Sequence, residues 1–180
     1  MWLSLMELKP KTLPLRPMGK IDPRTRFVLY AVALFVGTHW PALVLPSVVP
    51  ISDKTIHFLA WGLWLALLAS AWKMPLALLL ALGVVCGAAD EASQAIPVLN
   101  RHSSLADALA NVIGVVAVWS MVVVRRHQAP CLQWFWVLLS AACIVLAWTN
   151  IAADHKMVPT LLLGGLVFMV SALRIRRTLA

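Results

Sequence analysis

Asp90 and Glu91 stand side by side in a run that is otherwise apolar from Leu76 to Ile96. Paired carboxyls can exchange protons as general acid and base, hold a cation, or relay protons within a membrane. Asp53 and His57 are four residues apart with Lys54 between them, and Asp90 and Gln94 are also four apart. Ser103, Asp107, Asn111 and Gly114 repeat by four, four and three. On helices each set forms one stripe. An acid and a histidine facing Asp90, Glu91 and Asp107 have the parts of a divalent metal site or of a general acid/base site, and residue type alone does not choose between them. Glu91 or Asp90 would be the base, with His57 as acid partner or ligand. Arg101, Lys54, Asp53, Gln94, Asp107 and Asn111 would then contact the substrate, Arg101 as an anion clamp.

Duller roles exist for several of these residues. Asp53 can cap a helix, Ser104 with Asp107 resembles a capping box, and Asn111 can act as glue between helices. Capping does not explain Asp90 and Glu91, which sit toward the electronegative end of their helix. A salt bridge to Lys54 or Arg101, or one protonated carboxyl, would be a purely structural account of them.

The elements that must position these groups are apolar. Of 180 residues, 62% are hydrophobic and 12% charged, against roughly half apolar in a soluble domain. An all-α integral membrane bundle is the expected fold. Six runs are candidate membrane-spanning helices: Phe27 to Leu45, Lys54 to Trp72, Leu76 to Ile96, Leu105 to Val124, Leu132 to Ile151 and Met157 to Leu173. Residues 1–26 read as a basic cytoplasmic tail without the apolar core of a signal peptide, and 27–180 as a single bundle. Lys9, Lys11, Arg16, Lys20, Arg24, Arg26, Lys73, Arg125, Arg126, Arg174, Arg176 and Arg177 fall on one side of these runs; Lys54, Arg101 and Lys156 fall on the other. The bias places both termini in the cytoplasm and explains the net charge of +8 without nucleic acid as a partner. Topology then sends the polar ends of the second, third and fourth segments to the outer face.

Pro41 breaks the first segment, and the apolar stretch Pro41 to Pro50 carries three prolines and is expected to lie along the outer interface. Trp40, Trp61, Trp64, Trp72, Trp119, Trp134, Trp136 and Trp148 read as interfacial anchors. Gly83 with Gly87, and Gly164 with Gly165, read as close-packing positions, and Cys86, Cys131 and Cys143 as small packing residues.

Asp53-Lys54-x-x-His57-Phe58, Asp90-Glu91-x-x-Gln94, and Arg101 followed by Asp107-x-x-x-Asn111-x-x-Gly114 occur in this order and spacing. In these residues the chain resembles the VanZ-like membrane proteins over about 52–124, with Ala95-Ile96-Pro97 where an aromatic is common in the family. The resemblance implies a multi-pass protein of the bacterial inner membrane, in a family whose namesake is associated with resistance to the glycopeptide teicoplanin. It does not supply a reaction. The expected function is binding or modification of an envelope lipid or a lipid-linked cell-wall precursor in an outer-leaflet pocket. A proton-coupled transporter or flippase, and a non-catalytic accessory protein, are the alternatives.

Overall fold

The computed structural model describes residues 21–40, 52–96, 103–127, 132–150 and 155–177. Among them the chain is helical throughout, without a strand: α1 (Pro23–His39), α2 (Asp53–Ala71), α3 (Leu76–Gln94), α4 (Leu105–His127), α5 (Leu132–Asn150) and α6 (Val158–Arg177), the last preceded by a 3₁₀ turn over His155–Met157. The Pro41 to Pro50 stretch, Arg101, His102 and Cys131 lie outside the described residues.

Local chemistry sets the ends. Asp22 accepts hydrogen bonds from the amides of Arg24 (3.0 Å) and Thr25 (3.2 Å), and Pro23 fills the first helical position, where no amide is needed. Thus α1 begins four residues before the apolar run does. It stops at His39 because Trp40 precedes Pro41, and a residue before proline is driven from helical to extended backbone. At the other end of the chain α6 outlasts its apolar run, and Arg174 lies in its last turn, where a cation suits the helix dipole.

The long α4 is the centre of the bundle, packing against α2, α3 and α6, while α5 covers α6 and α1 covers α2. Three apolar clusters fill the interior, the smallest of them Ala147, Met157 and Leu161. Of the larger two, one joins Phe58, Ala117, Trp136, Cys143 and Phe168; the other joins Trp61, Leu65, Leu68, Leu79 and Val115. Serines tie helices where two apolar surfaces alone give little specificity: Ser120 meets Ser171 at 3.1 Å, and the Ser140 hydroxyl donates to the Gly165 carbonyl at 2.8 Å.

Close approach of α2 and α4 depends on Gly114. A Cβ there would overlap the Phe58 carbonyl oxygen, a backbone atom that can move only if the helices part. Gly114→Val is therefore expected to cost at least the roughly 1–3 kcal/mol typical of overpacking, seen as a lower unfolding midpoint of the protein in detergent. Gly114→Val with an unchanged midpoint would mean that the two helices separate freely.

Among the described residues three helices are long and apolar enough to cross a membrane: Asp53–Ala71, Leu76–Gln94 and Leu105–Arg126. Shorter apolar helical stretches run over Trp134–Ala147 and Val158–Arg174. The outward surface is apolar as well, with Val28, Leu29, Val32 and Phe35 on α1, Val85 on α3 and Leu138 and Val145 on α5 all exposed.

Tryptophan roles divide. Trp40 and Trp134 are exposed, whereas Trp61 and Trp136 are core residues and not anchors. Trp61 packs over Gly87, where even a Cβ would be in ordinary van der Waals contact, 3.5 Å from the indole. At the end of the bundle away from Asp53, Trp72 receives the Arg24 guanidinium 5.9 Å from its ring centroid, and Trp119 donates to the Leu76 carbonyl at 2.9 Å. Arg126 there donates to the Met74 carbonyl at 2.7 Å.

Candidate functional site

Antiparallel connection brings the first turns of α2, the last turn of α3 and the first turns of α4 to one end of the bundle. Asp53, Lys54, His57, Glu91, Gln94, Asp107 and Asn111 meet there through side-chain bonds. The start of α6 closes one side, because the Ser52 hydroxyl donates to the Lys156 carbonyl at 2.7 Å and Thr55 meets Thr160 at 3.5 Å.

Lys54 is only 7% exposed. Its ammonium donates to Asp53 Oδ2 at 3.1 Å and makes a short contact with Asp107 Oδ1. Asp53 also accepts from the Lys54 amide at 2.9 Å and lies half in solvent, so it serves the helix start and the ion pair together. Ser104 supplies half of the capping box, accepting from the Asp107 amide at 3.4 Å; the Asp107 carboxylate turns to Lys54 instead of completing it. A buried ammonium needs such partners, since desolvation would otherwise cost several kcal/mol.

Asn111 is fully buried and fixes the histidine. Its Nδ2 donates to the Gly87 carbonyl at 3.1 Å, and its Oδ1 lies 3.0 Å from His57 Nδ1. A Cβ on residue 87 would come within 3.3 Å of Asn111 Cβ, so the glycine makes room for this contact. The role of glue between helices is real for Asn111, and it coincides with orienting His57.

Glu91 is 4% exposed. Its Oε1 accepts from the Ser104 amide at 2.6 Å and its Oε2 from Gln94 Nε2 at 3.3 Å. The structural alternative of a Lys54 salt bridge does not apply, because Lys54 is committed to Asp53 and Asp107. Of the paired acids, Glu91 faces His57 and Asp107: one ligand atom from each of these three residues lies within 4.8 Å of the others. His57 Nε2 stands 4.0 Å from Asp107 Oδ1.

Asp90 points to another side of α3, toward α1. Consecutive helical residues are about 100° apart, so neighbouring acids cannot share one face. Asp90 accepts from the Thr38 hydroxyl at 2.8 Å, and His39 Nδ1 lies 3.8 Å away. His39 Nε2 is 2.7 Å from the Ser93 hydroxyl. Asp90, His39 and Ser93 border a cavity of about 390 Å³ between α1, α2 and α3, walled by Leu34, Phe35, Trp61 and Trp64. Gln94 joins the two polar groups, since its amide also lies 3.4 Å from Asp90 Oδ2. Thr38, His39 and Ser93 were not among the residues singled out by spacing. Their signal was topological: Thr38 and His39 end the first helix at the same face.

Comparison with protein-family models, curated proteins and solved structures finds no match to this chain.

Proposed function

We propose that this chain is a multi-pass protein of the bacterial inner membrane whose outer-leaflet chamber, built from α2, α3 and α4, binds or modifies an envelope lipid or lipid-linked cell-wall precursor. The observation that carries the reading is the buried mixed-charge cluster of Lys54, Asp107, His57, Glu91 and Asn111 at one end of three membrane-length helices. Ionisable groups at such depth are expensive in lipid and characteristically serve a pathway or a polar ligand. An ammonium and an imidazole at headgroup depth suit phosphate or carboxylate, and the acids suit an amine.

In this reading all six helices cross, with both termini in the cytoplasm. Arg24, Arg26, Lys73, Arg125, Arg126 and Arg174 then lie on the cytoplasmic side and Asp53, Lys54 and Lys156 on the outer side, in accord with the distribution of positive charge in membrane proteins. The VanZ-like motif points to the same envelope setting. A reporter fused after Ala180 should be active only in its cytoplasmic form; activity on the outer side would overturn the topology and with it the outer-leaflet chamber.

In the metal-free site Glu91 is the leading general base, because it is the paired acid that faces His57. The protein in lipid nanodiscs, incubated with an envelope lipid extract, should convert a lipid that Glu91→Gln leaves unchanged, a loss of at least about a hundredfold for removal of a positioned base. Capture of a phosphate-bearing lipid without conversion would support binding alone. Neither capture nor conversion in any fraction would refute the lipid reading.

A further inference from the structure

We propose that His57, Glu91 and Asp107 form a three-ligand site for a divalent transition-metal cation of the Zn²⁺ type. The hydrogen bonds around His57 carry the inference. The Gly87 carbonyl can only accept, so Asn111 must direct its Nδ2 there and its Oδ1 to His57. His57 therefore donates from Nδ1, and a neutral imidazole then presents its lone pair from Nε2. That lone pair stands 4.0 Å from an Asp107 carboxylate oxygen, beyond hydrogen-bond reach. Asp107 Oδ1 already accepts from the Lys54 ammonium, so among the described residues it is Nε2 that lacks a hydrogen-bond partner and offers its lone pair to a cation.

Glu91 strengthens the case independently. Its carboxylate is buried, and among the described residues no lysine or arginine is within ion-pair distance of it. The Lys54 ammonium is shared by Asp53 and Asp107.

The spacing fits a small cation. Tetrahedral coordination with bonds of about 2.0–2.1 Å puts ligand atoms about 3.3 Å apart. The three atoms here lie within 4.8 Å of one another, a closure that side-chain rotation can supply. Each ligand is also held by a neighbour: His57 by Asn111, Glu91 by the Ser104 amide and Gln94, and Asp107 by Lys54, which contacts the same oxygen that lies 4.0 Å from His57 Nε2. Outer partners of this kind orient metal ligands and tune their affinity. An imidazole in the set favours Zn²⁺ or its transition-metal neighbours over Mg²⁺ and Ca²⁺, which prefer all-oxygen shells. Three protein ligands leave a position for water or a ligand oxygen, as in catalytic zinc sites.

The site stands on side-chain geometry and does not depend on the lipid reading, so its test contains no lipid substrate. Full-length protein in nanodiscs, stripped with chelator and titrated with Co²⁺ as a spectroscopic probe and with Zn²⁺ as competitor, should take up about one equivalent and develop visible ligand-field bands that Zn²⁺ abolishes. His57→Gln and Glu91→Gln should each remove the bands, and Asn111→Ala should weaken binding about 10–100-fold while keeping the stoichiometry. Wild-type protein that takes up no Co²⁺ or Zn²⁺ overturns the proposal; a proton on His57 Nε2 would then be the bridge to Asp107. Bands that persist in folded His57→Gln and Glu91→Gln protein overturn it as well. Should either variant fail to fold, the wild-type titration and the Asn111→Ala affinity still decide.

Discussion

Lys54→Met should destabilise the protein by about 3–5 kcal/mol, the range for breaking a buried ion pair by removing one partner. Lys54 donates to two carboxylates, and they do not suffer equally. Asp53 is half exposed and can turn to water, whereas the Asp107 side chain is 13% exposed and would keep a charge in a poor dielectric. Most of the loss should therefore belong to Asp107. Lys54→Met combined with Asp107→Leu removes both charges and should recover most of the stability, because apolar replacements of whole buried pairs are often neutral. Unfolding of the four proteins in one detergent, read as a double-mutant cycle, measures the coupling. A single Lys54→Met variant within about 0.5 kcal/mol of wild type would mean that water reaches the ammonium and that the chamber is open at that point.

Trp136→Ala should cost a similar amount, about 3–5 kcal/mol, for a different reason. Trp136 is fully buried, edge-on to Phe135 and Trp119 with ring centroids 4.7 and 6.0 Å away and nearly parallel to Phe168 at 6.1 Å. Its indole N–H has no hydrogen-bond partner among the described residues. The loss is then one of packing, and the void left between α4, α5 and α6 forfeits dispersion contacts on every side. Trp136→Phe should retain most of the stability, since no hydrogen bond is given up. Equal unfolding midpoints for Trp136→Ala and wild type would show that α5 and α6 close the void or that the ring does not sit in the core. Neither variant should alter Co²⁺ uptake at His57, which belongs to the other end of the bundle.

Much of the helical layout was legible because apolar length is a strong signal. The predicted starts at Leu76, Leu105 and Leu132 coincide with those of α3, α4 and α5, since Pro75, Ser104 and a preceding charged or polar stretch mark them in the chain. Boundaries at α1 and the ends of α4 and α6 differed, because capping by Asp22 and favourable cations in a last turn extend a helix beyond its apolar residues. For the candidate site, spacing identified Asp53, Lys54, His57, Glu91, Gln94, Asp107 and Asn111, which do converge; Arg101 lies outside the described residues. Spacing could not separate Asp90 from Glu91, nor find Thr38, His39 and Ser93, since those relations run between helices.

Sequence alone determined the helical class, the apolar character of the helices and the residue types of the polar cluster, because periodicity and hydropathy are written along the chain; of the six runs it marks as membrane-spanning, three form helices of membrane length among the described residues. Tertiary structure decided which acid faces which histidine. Helix rotation about its own axis, set here by Gly114 against Phe58 and Gly87 against Asn111, turns Glu91 toward His57 and Asp90 toward α1. Such rotation is fixed by packing between segments far apart in the chain, and no local pattern encodes it.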